Sequence, residues 1–461
     1  MTKLHPYRTP FIVGLPVLAK QFFGRQDQVE TFFGQCILGP VLQPTRILGL
    51  RRSGKTSFLN YVADHTTRNR FLTRDEFSTI KFVYVNAQTI HSRNDFYCLV
   101  ANTIHDQIAG IHIEPPKFDS GRAFEKWLDA TLRKNKDLRI IVLIDEFEIL
   151  NEIEDCGIEF FRFLRALASG HQDSLTWVTA SAVDLYTLDK RQKTSPFWNI
   201  FHQMPIIMGG FDAEREEAET LIRRSLETVG SSISKNEIND ILAVSGRIPY
   251  FVQAVGDAWH KLRENKSIPH SKMRRAMLDM LSNPGNQLQH IYQDYWDGMS
   301  QDRKLILKSI ASERRNFSAS LSDLSGLVDY GLIVKDKDGG YAISGQLLKQ
   351  FVMDAELNGS MGTAVDARQL FELIYATIDK KGELRSSDKA DLKHDVEELQ
   401  QELLKGDKLD QSFVRRHLRS IGQMAPDILE VTLATIANPA AGFGVVAKKI
   451  ADKIKENSNT Q

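Results

Sequence analysis

The chain has few cysteines. There are three, Cys36, Cys98 and Cys156, and no two of them stand at a spacing that builds a disulfide framework or a metal knuckle. That scarcity excludes the small stapled secreted domains and fits a reduced setting, so a cytoplasmic location is expected. Net charge is lacking as well, since Lys plus Arg and Asp plus Glu both number 59. A whole-chain electrostatic footprint for nucleic acid is therefore excluded, and only a local basic face would serve that purpose. The first residues, M-T-K-L-H-P, hold no apolar signal-peptide region. Internal repeats are absent, and low complexity is confined to a short polar tail at 456–461. One uncharged stretch, residues 431–447, reaches the lower edge of membrane-spanning length, but Asn438-Pro439 breaks it. A buried helical hairpin or an oligomer contact is expected there in preference to membrane contact. The sharper alternative is an effector element that meets a membrane or partner once released.

What is present is an ordinary globular composition, 42% hydrophobic and 26% charged, over 461 residues. That length bounds the chain at roughly two to four domains. Residues 49–56 read G-L-R-R-S-G-K-T and fit the phosphate-binding loop G-x-x-x-x-G-K-[ST]. A short strand at 45–50 precedes the loop, and a helix begins at Ser57, which is the context the motif requires. Gly49 and Gly54 let the backbone bend so that successive N–H groups face phosphate oxygens. The helix N-terminus adds partial positive charge. Lys55 is placed to reach the β- and γ-phosphates, and the Thr56 hydroxyl to ligate Mg²⁺.

Residues 139–146 read R-I-I-V-L-I-D-E, an unbroken apolar run ending in two acids. Such a run suits a central parallel strand covered on both faces. Acids at its C-terminal end lie where open α/β sheets bind ligands. Asp145 is expected to hold Mg²⁺ through its water shell, and Glu146 to orient or deprotonate the attacking water.

Further strands are read at 78–86, 174–181 and 205–208, with helical spacing at 94–111, 121–136 and 156–167. The alternation predicts an α/β domain with a parallel sheet over about residues 20–210. Helical periodicity follows from 212 to about 281, and S-N-P-G at 282–285 is a break. Residues 286–355 hold helices and then two short strands flanking D-G-G at 338–340, a hairpin signal that suggests a winged helix. N-G-S-M-G-T at 358–363 reads as a flexible linker, with largely helical sequence beyond it. The expected domains are 1–210, 211–283, 286–357 and 364–461.

These segments resemble the STAND class of AAA+-related signalling ATPases, in the bacterial and archaeal branch with a G-x-R-R-x-G-K-T-S loop. The likeness spans about residues 5–355 and rests on P-F-I-V-G-L-P at 10–16 with F-F-G-R at 22–25, the loop at 49–57 and L-I-D-E-F at 143–147. It extends to T-A-S at 179–181, S-P-F-W-N-I-F at 195–201 and F-D-A-E-R-E-E-A at 211–218. The last element, G-R-I-P at 246–249, differs from the family's G-x-P motif by one extra residue. The resemblance implies a P-loop NTPase core with a helical lid, a winged helix and a C-terminal helical domain. It also implies ATP or ADP with Mg²⁺ as cofactors, slow hydrolysis, nucleotide-gated self-assembly and a prokaryotic signalling or defence role. Output is expected from residues 364–461 or a separate effector.

Several candidates have two readings. Thr179 stands at the family's sensor position, and Pro249 at the lid contact with the base. Arg25 supports a turn or approaches the nucleotide. Ser53 and Ser57 belong to the loop, whereas Arg51 and Arg52 face phosphate, solvent or an acid. Arg165 is a candidate finger for a neighbouring subunit's γ-phosphate, with Arg162 and Arg191 as competitors and a paired surface arginine as the plain alternative. Arg303, Lys304, Lys308, Arg314 and Arg315 are DNA candidates in the winged helix, or a solvated helix face. A DNA-associated ATPase and a binding scaffold with little turnover are the competing classes.

Overall fold

The computed structural model describes residues 9–107, 115, 117–182, 197–212, 216–264, 268–283, 285–313, 319–335 and 339–355. It also describes 371–437 with short gaps. The chain divides into two compact units, Met1–Asp354 and Ala355–Gln461. Arg191, Arg314, Arg315, the 358–363 linker, residues 195–196 and the tail beyond 437 lie outside the described residues.

The first unit is built on a five-stranded parallel sheet of order β2-β3-β4-β1-β5. Its strands are β1 (Thr45–Leu48), β2 (Ile80–Asn86), β3 (Arg139–Asp145), β4 (Leu175–Ser181) and β5 (Ile206–Ile207). Every pairing is parallel, so the connections are crossovers, and among the described residues helices lie between β1 and β2, β2 and β3, and β3 and β4. β3 shows why its sequence lacks polar alternation. Ile140, Val142 and Ile144 pack into one core with Phe96, Phe160 and Trp177. Ile141 and Leu143 face the opposite core, with Phe58, Leu59 and Val178. Both faces of the strand are dry, and the run ends at the first charge, Asp145.

The first core lies under the helices Arg93–Gln107, Gly121–Lys134 and Ile158–Gly170. Trp177 is fully buried there and donates its indole N–H to the Leu164 carbonyl at 2.8 Å. The second core lies under Lys55–Ala63 and the helical segment from Gln26 to Ile37. One local expectation changes. Residues 78–79 finish a short helix, Arg74–Thr79, started by a capping box in which Thr73 and Glu76 satisfy each other's backbone N–H.

Four helices follow the sheet: Glu217–Glu227, Lys235–Ser245, Pro249–Glu264 and Met273–Leu281. Three more, Gln287–Gly298, Gln301–Ala311 and Leu321–Asp329, lead into an antiparallel pair, β6 (Ile333–Lys335) and β7 (Tyr341–Ile343), and a last helix, Gln346–Asp354. These segments are tied to the sheet by close backbone approach. Any Cβ on Gly209, just after β5, would collide with the Asp329 carbonyl. The stacked rings of Phe251 and Tyr292, 4.4 Å apart, join Pro249–Glu264 to Gln287–Gly298.

The second unit holds the helices Ser386–Leu403, Gln411–Met424 and Pro426–Ala437 around a core that includes Leu392, Val396, Val414, Leu418 and Ile428. Asp410 caps Gln411–Met424 by accepting from the Ser412 and Phe413 amides. His417 lies between the carboxylates of Asp395, at 2.9 Å, and Glu398, at 3.3 Å. Among the described residues no helix is long and apolar enough to cross a membrane.

Candidate functional site

A cavity of about 480 Å³ opens at the C-terminal ends of β1, β2 and β3. That is the size and place expected of a small-molecule site in a parallel sheet. Its walls include the lead-in segment at 12–25, the loop at 51–57, the ends of β2 and β3, Met208 and Phe211 after β5, Leu221 of Glu217–Glu227 and the start of Pro249–Glu264.

The loop turns through Gly54, whose φ of 99° is the left-handed region glycine favours. Lys55 opens the Lys55–Ala63 helix and is buried. Its ammonium donates to the Gly49 carbonyl at 2.9 Å and to that of Leu50 at 3.2 Å. Burial lowers its proton affinity; nearby Glu146, Glu148 and Asp145 oppose that shift, while Arg51 adds to it. Ser53, Thr56 and Ser57 also line the cavity. Ser53 Oγ is buried with no hydrogen-bond partner in this structure. The Ser57 hydroxyl accepts from the Val17 amide at 3.1 Å, which fixes the lead-in segment to the loop helix. The far end of that segment is held by the Gln253 side chain, which accepts from the Ile12 amide at 2.8 Å.

Asp145 and Glu146 stand together on the cavity wall. Asp145 is buried, accepting the Tyr84 phenol at 2.8 Å on one carboxylate oxygen and the Glu146 amide at 3.1 Å on the other. Glu146 sits at φ 51°. Burial raises its proton affinity, with Glu148 and Asp145 adding and Lys55 and Arg51 opposing. A carboxyl whose proton affinity is raised inside a cleft is suited to a proton-transfer role. Four non-glycine residues among those described have positive φ, and three of them, Arg25, Arg52 and Glu146, line this cavity. Such strain costs of order 1–3 kcal/mol per residue and concentrates at functional sites.

The other sequence candidates are placed as follows. Arg51 and Arg52 are exposed at the cavity rim. Arg52 lies 5.5 Å over the Tyr250 ring and donates to the Gly14 carbonyl. Pro249 lines the cavity as the first residue of its helix, where a missing N–H costs nothing. Arg25 also lines it, but its guanidinium donates to the carbonyls of Gly209 and Gly210, and its amide to Glu217 at 2.7 Å. Arg25 thus ties the lead-in segment to the end of β5 and to the helix Glu217–Glu227. Burial pulls its proton affinity down to about 10. Gly49 begins the loop behind the cavity wall, where a Cβ would collide with the Met208 carbonyl. Thr179 is buried within β4 and is not part of the wall. Arg165 lies half-buried on Ile158–Gly170, also outside the cavity, and Arg162 pairs with Glu159 at 2.7 Å.

Two neighbours of the acids carry no motif in the sequence. Tyr84 and Glu148 sit beside the acids, and Glu148 accepts from the Ala182 amide at 3.0 Å. A polar residue two places before a strand's acidic neighbour is the only signal for Tyr84, and it depends on a register no sequence spacing gives.

The donor set fits a hydrated Mg²⁺ ion. Thr56 and Asp145 offer hard oxygens on the wall beside Lys55, and such an ion keeps several waters and needs few protein ligands. Residues 46–301, more than half of the chain, match the family model described as novel STAND NTPase 2. Residues 367–457 match the model described as ternary complex associated domain 2. No curated protein matches the chain significantly. Among solved structures, a Walker-type ATPase of Pyrococcus abyssi is similar at 16% identity and a TM-score of 0.48, over 75% of this chain and 99% of that one. The Orc1 protein of Aeropyrum pernix in complex with DNA gives 12% identity and 0.40, over 72% and 92%. The RuvB Holliday junction branch migration motor of Thermotoga maritima gives 14% and 0.39, over 74% and 99%.

Proposed function

Since the chain belongs to the novel STAND NTPase 2 family, we propose that it is an ATP-hydrolysing signalling switch whose nucleotide state governs its conformation and self-assembly. The observation that carries this reading is the meeting of Lys55, Thr56, Asp145 and Glu146 on one cavity wall, closed by residues of the lead-in segment and of Pro249–Glu264. A nucleotide bound there would supply the transferable phosphoryl group. Lys55 and the loop amides neutralise phosphate charge, Thr56 and Asp145 hold the ion, and Glu146 takes up the proton of the attacking water. Contacts from Pro249 and Tyr250 make the lid sensitive to what fills the cavity. A ligand that prefers the closed or the open arrangement biases the switch by its difference in affinity.

We read residues 286–357 as a winged helix that relays this state. Three of its basic residues are engaged internally. Arg303 pairs with Asp323 at 3.0 Å, Lys304 lies 5.7 Å over Trp296 and Lys308 donates to the Met353 carbonyl at 3.0 Å. That favours a relay over a DNA surface. The match at 367–457 supports a partner-binding output in the C-terminal region. Arg165 remains the candidate finger toward a neighbouring subunit.

Light scattering with chromatography tests the proposal. Glu146→Gln should form a larger species with ATP and Mg²⁺ and a small one with ADP, and Lys55→Ala should bind neither nucleotide. Hydrolysis by Glu146→Gln at the parental rate would remove Glu146 from its role. One small species under all conditions would remove the assembly step.

A further inference from the structure

β2 contributes to the cavity although no loop or acid motif lies on it. It runs parallel to β3 with Tyr84 opposite Leu143 and Asn86 opposite Asp145. The Tyr84 ring packs at the edge of the core that holds Phe58 and Leu143, while the residue also lines the cavity. Its hydroxyl donates to one oxygen of Asp145 at 2.8 Å. The other Asp145 oxygen accepts the Glu146 amide at 3.1 Å. A carboxylate offers about four lone-pair sites. Two fixed bonds, one per oxygen, set the carboxylate plane and leave the remaining lone pairs for an ion or its water.

We propose that Tyr84 is a positioning residue for metal binding: its hydroxyl locks the Asp145 carboxylate in the orientation that receives the nucleotide-bound Mg²⁺. The inference rests on the nucleotide reading of the cavity given above. A tyrosine hydroxyl is ordinarily protonated at neutral pH, so Tyr84 acts as the donor to the carboxylate. A partner of this kind, outside the ligands themselves, typically accounts for about 10–100-fold in metal affinity when removed. A phenylalanine at 84 would keep the ring in its core and delete only the donor. Asp145 would then be free to rotate about its side-chain bonds in a buried site, with one oxygen lacking its partner.

The test is the Mg²⁺ dependence of binding of a fluorescent, non-hydrolysable ATP analogue to the full chain. Tyr84→Phe should need about tenfold more Mg²⁺ for half-maximal enhancement of binding, with affinity in EDTA unchanged. In a double-mutant cycle, adding Tyr84→Phe to Asp145→Asn should change the Mg²⁺ dependence no further, because the group it positions is gone. An unchanged Mg²⁺ midpoint in Tyr84→Phe would overturn the inference while leaving the nucleotide reading intact. Equal weakening with and without Mg²⁺, or an additive shift in the double variant, would overturn it by making Tyr84 a wall of the cavity. If the wild-type chain binds no analogue at any Mg²⁺ concentration, the nucleotide reading fails and takes this inference with it.

Discussion

The Tyr295 hydroxyl donates a hydrogen bond to the backbone carbonyl of Arg51, inside the phosphate loop. Tyr295 lies on Gln287–Gly298, more than two hundred residues along the chain, and is buried. The contact makes the loop's conformation depend on a helix beyond the lid. Tyr295→Phe should therefore speed release of bound ADP about fivefold, the worth of roughly one neutral hydrogen bond of ~1 kcal/mol. Stopped-flow displacement of a fluorescent ADP analogue measures this, and an unaltered rate would show that the contact does not restrain the loop.

Lys55→Met removes a buried cation whose desolvation works against folding. It also strips a donor from the Gly49 and Leu50 carbonyls. These effects oppose each other, so the melting temperature without nucleotide should stay close to that of the parent. The parent should gain ~2.7 kcal/mol from ATP at about a hundred times its dissociation constant. The variant should gain nothing. Thermal melts with and without Mg²⁺-ATP decide the matter, and a persistent ligand shift would contradict the role of Lys55.

Burial raises the Cys36 thiol from its ordinary 9.0 to about 12, and that of Cys156 likewise. Both should resist iodoacetamide at pH 8 in the native protein and react once it is unfolded in urea. The linkage runs in a definite direction. Between pH about 9 and about 12 the unfolded chain loses these protons while the folded chain keeps them, so stability falls as pH rises through that window. Rapid native labelling of Cys36, read by peptide mass, would contradict its enclosure.

The sheet was legible because chemistry constrains it twice over. The loop needs glycines, a lysine and a hydroxyl at fixed offsets, and a doubly covered strand needs an unbroken apolar run. All five strands fall where those patterns place them, with boundaries shifted by a few residues. The short helix Arg74–Thr79 takes residues 78–79 from the expected strand, and T-R-D-E at 73–76 spells its capping box. The site was legible along the chain but not across it. Lys55, Thr56, Asp145 and Glu146 announce themselves by spacing. Tyr84 meets Asp145 through strand register, and Glu148 meets Ala182 through the short turn after β3. Arg25 illustrates the converse, since a candidate nucleotide contact spends its guanidinium on the Gly209 and Gly210 carbonyls. A residue's type gives its chemistry, but its partner is decided by the fold.

Gly209→Ala tests the backbone contact at Asp329. The added methyl has no flexible neighbour to displace, so the turn after β5 and the end of Leu321–Asp329 must separate. The expected cost is ~1–3 kcal/mol, with faster proteolytic cleavage near residue 329. Parental resistance to protease would mean that the two backbones are held apart in solution.

β3 carries a further consequence. Because both of its faces are hydrophobic, a slip of one residue would exchange apolar side chains for apolar ones between the two cores everywhere except at the ends of the strand. Solubility offers no protection against that error. What distinguishes the right pairing is the end of the strand, where the slip would carry Asp145 away from the Tyr84 hydroxyl into the buried place of Ile144 and draw Glu146 into the sheet behind it. The acids on the cavity wall thus also act as an alignment mark for the strand that carries them.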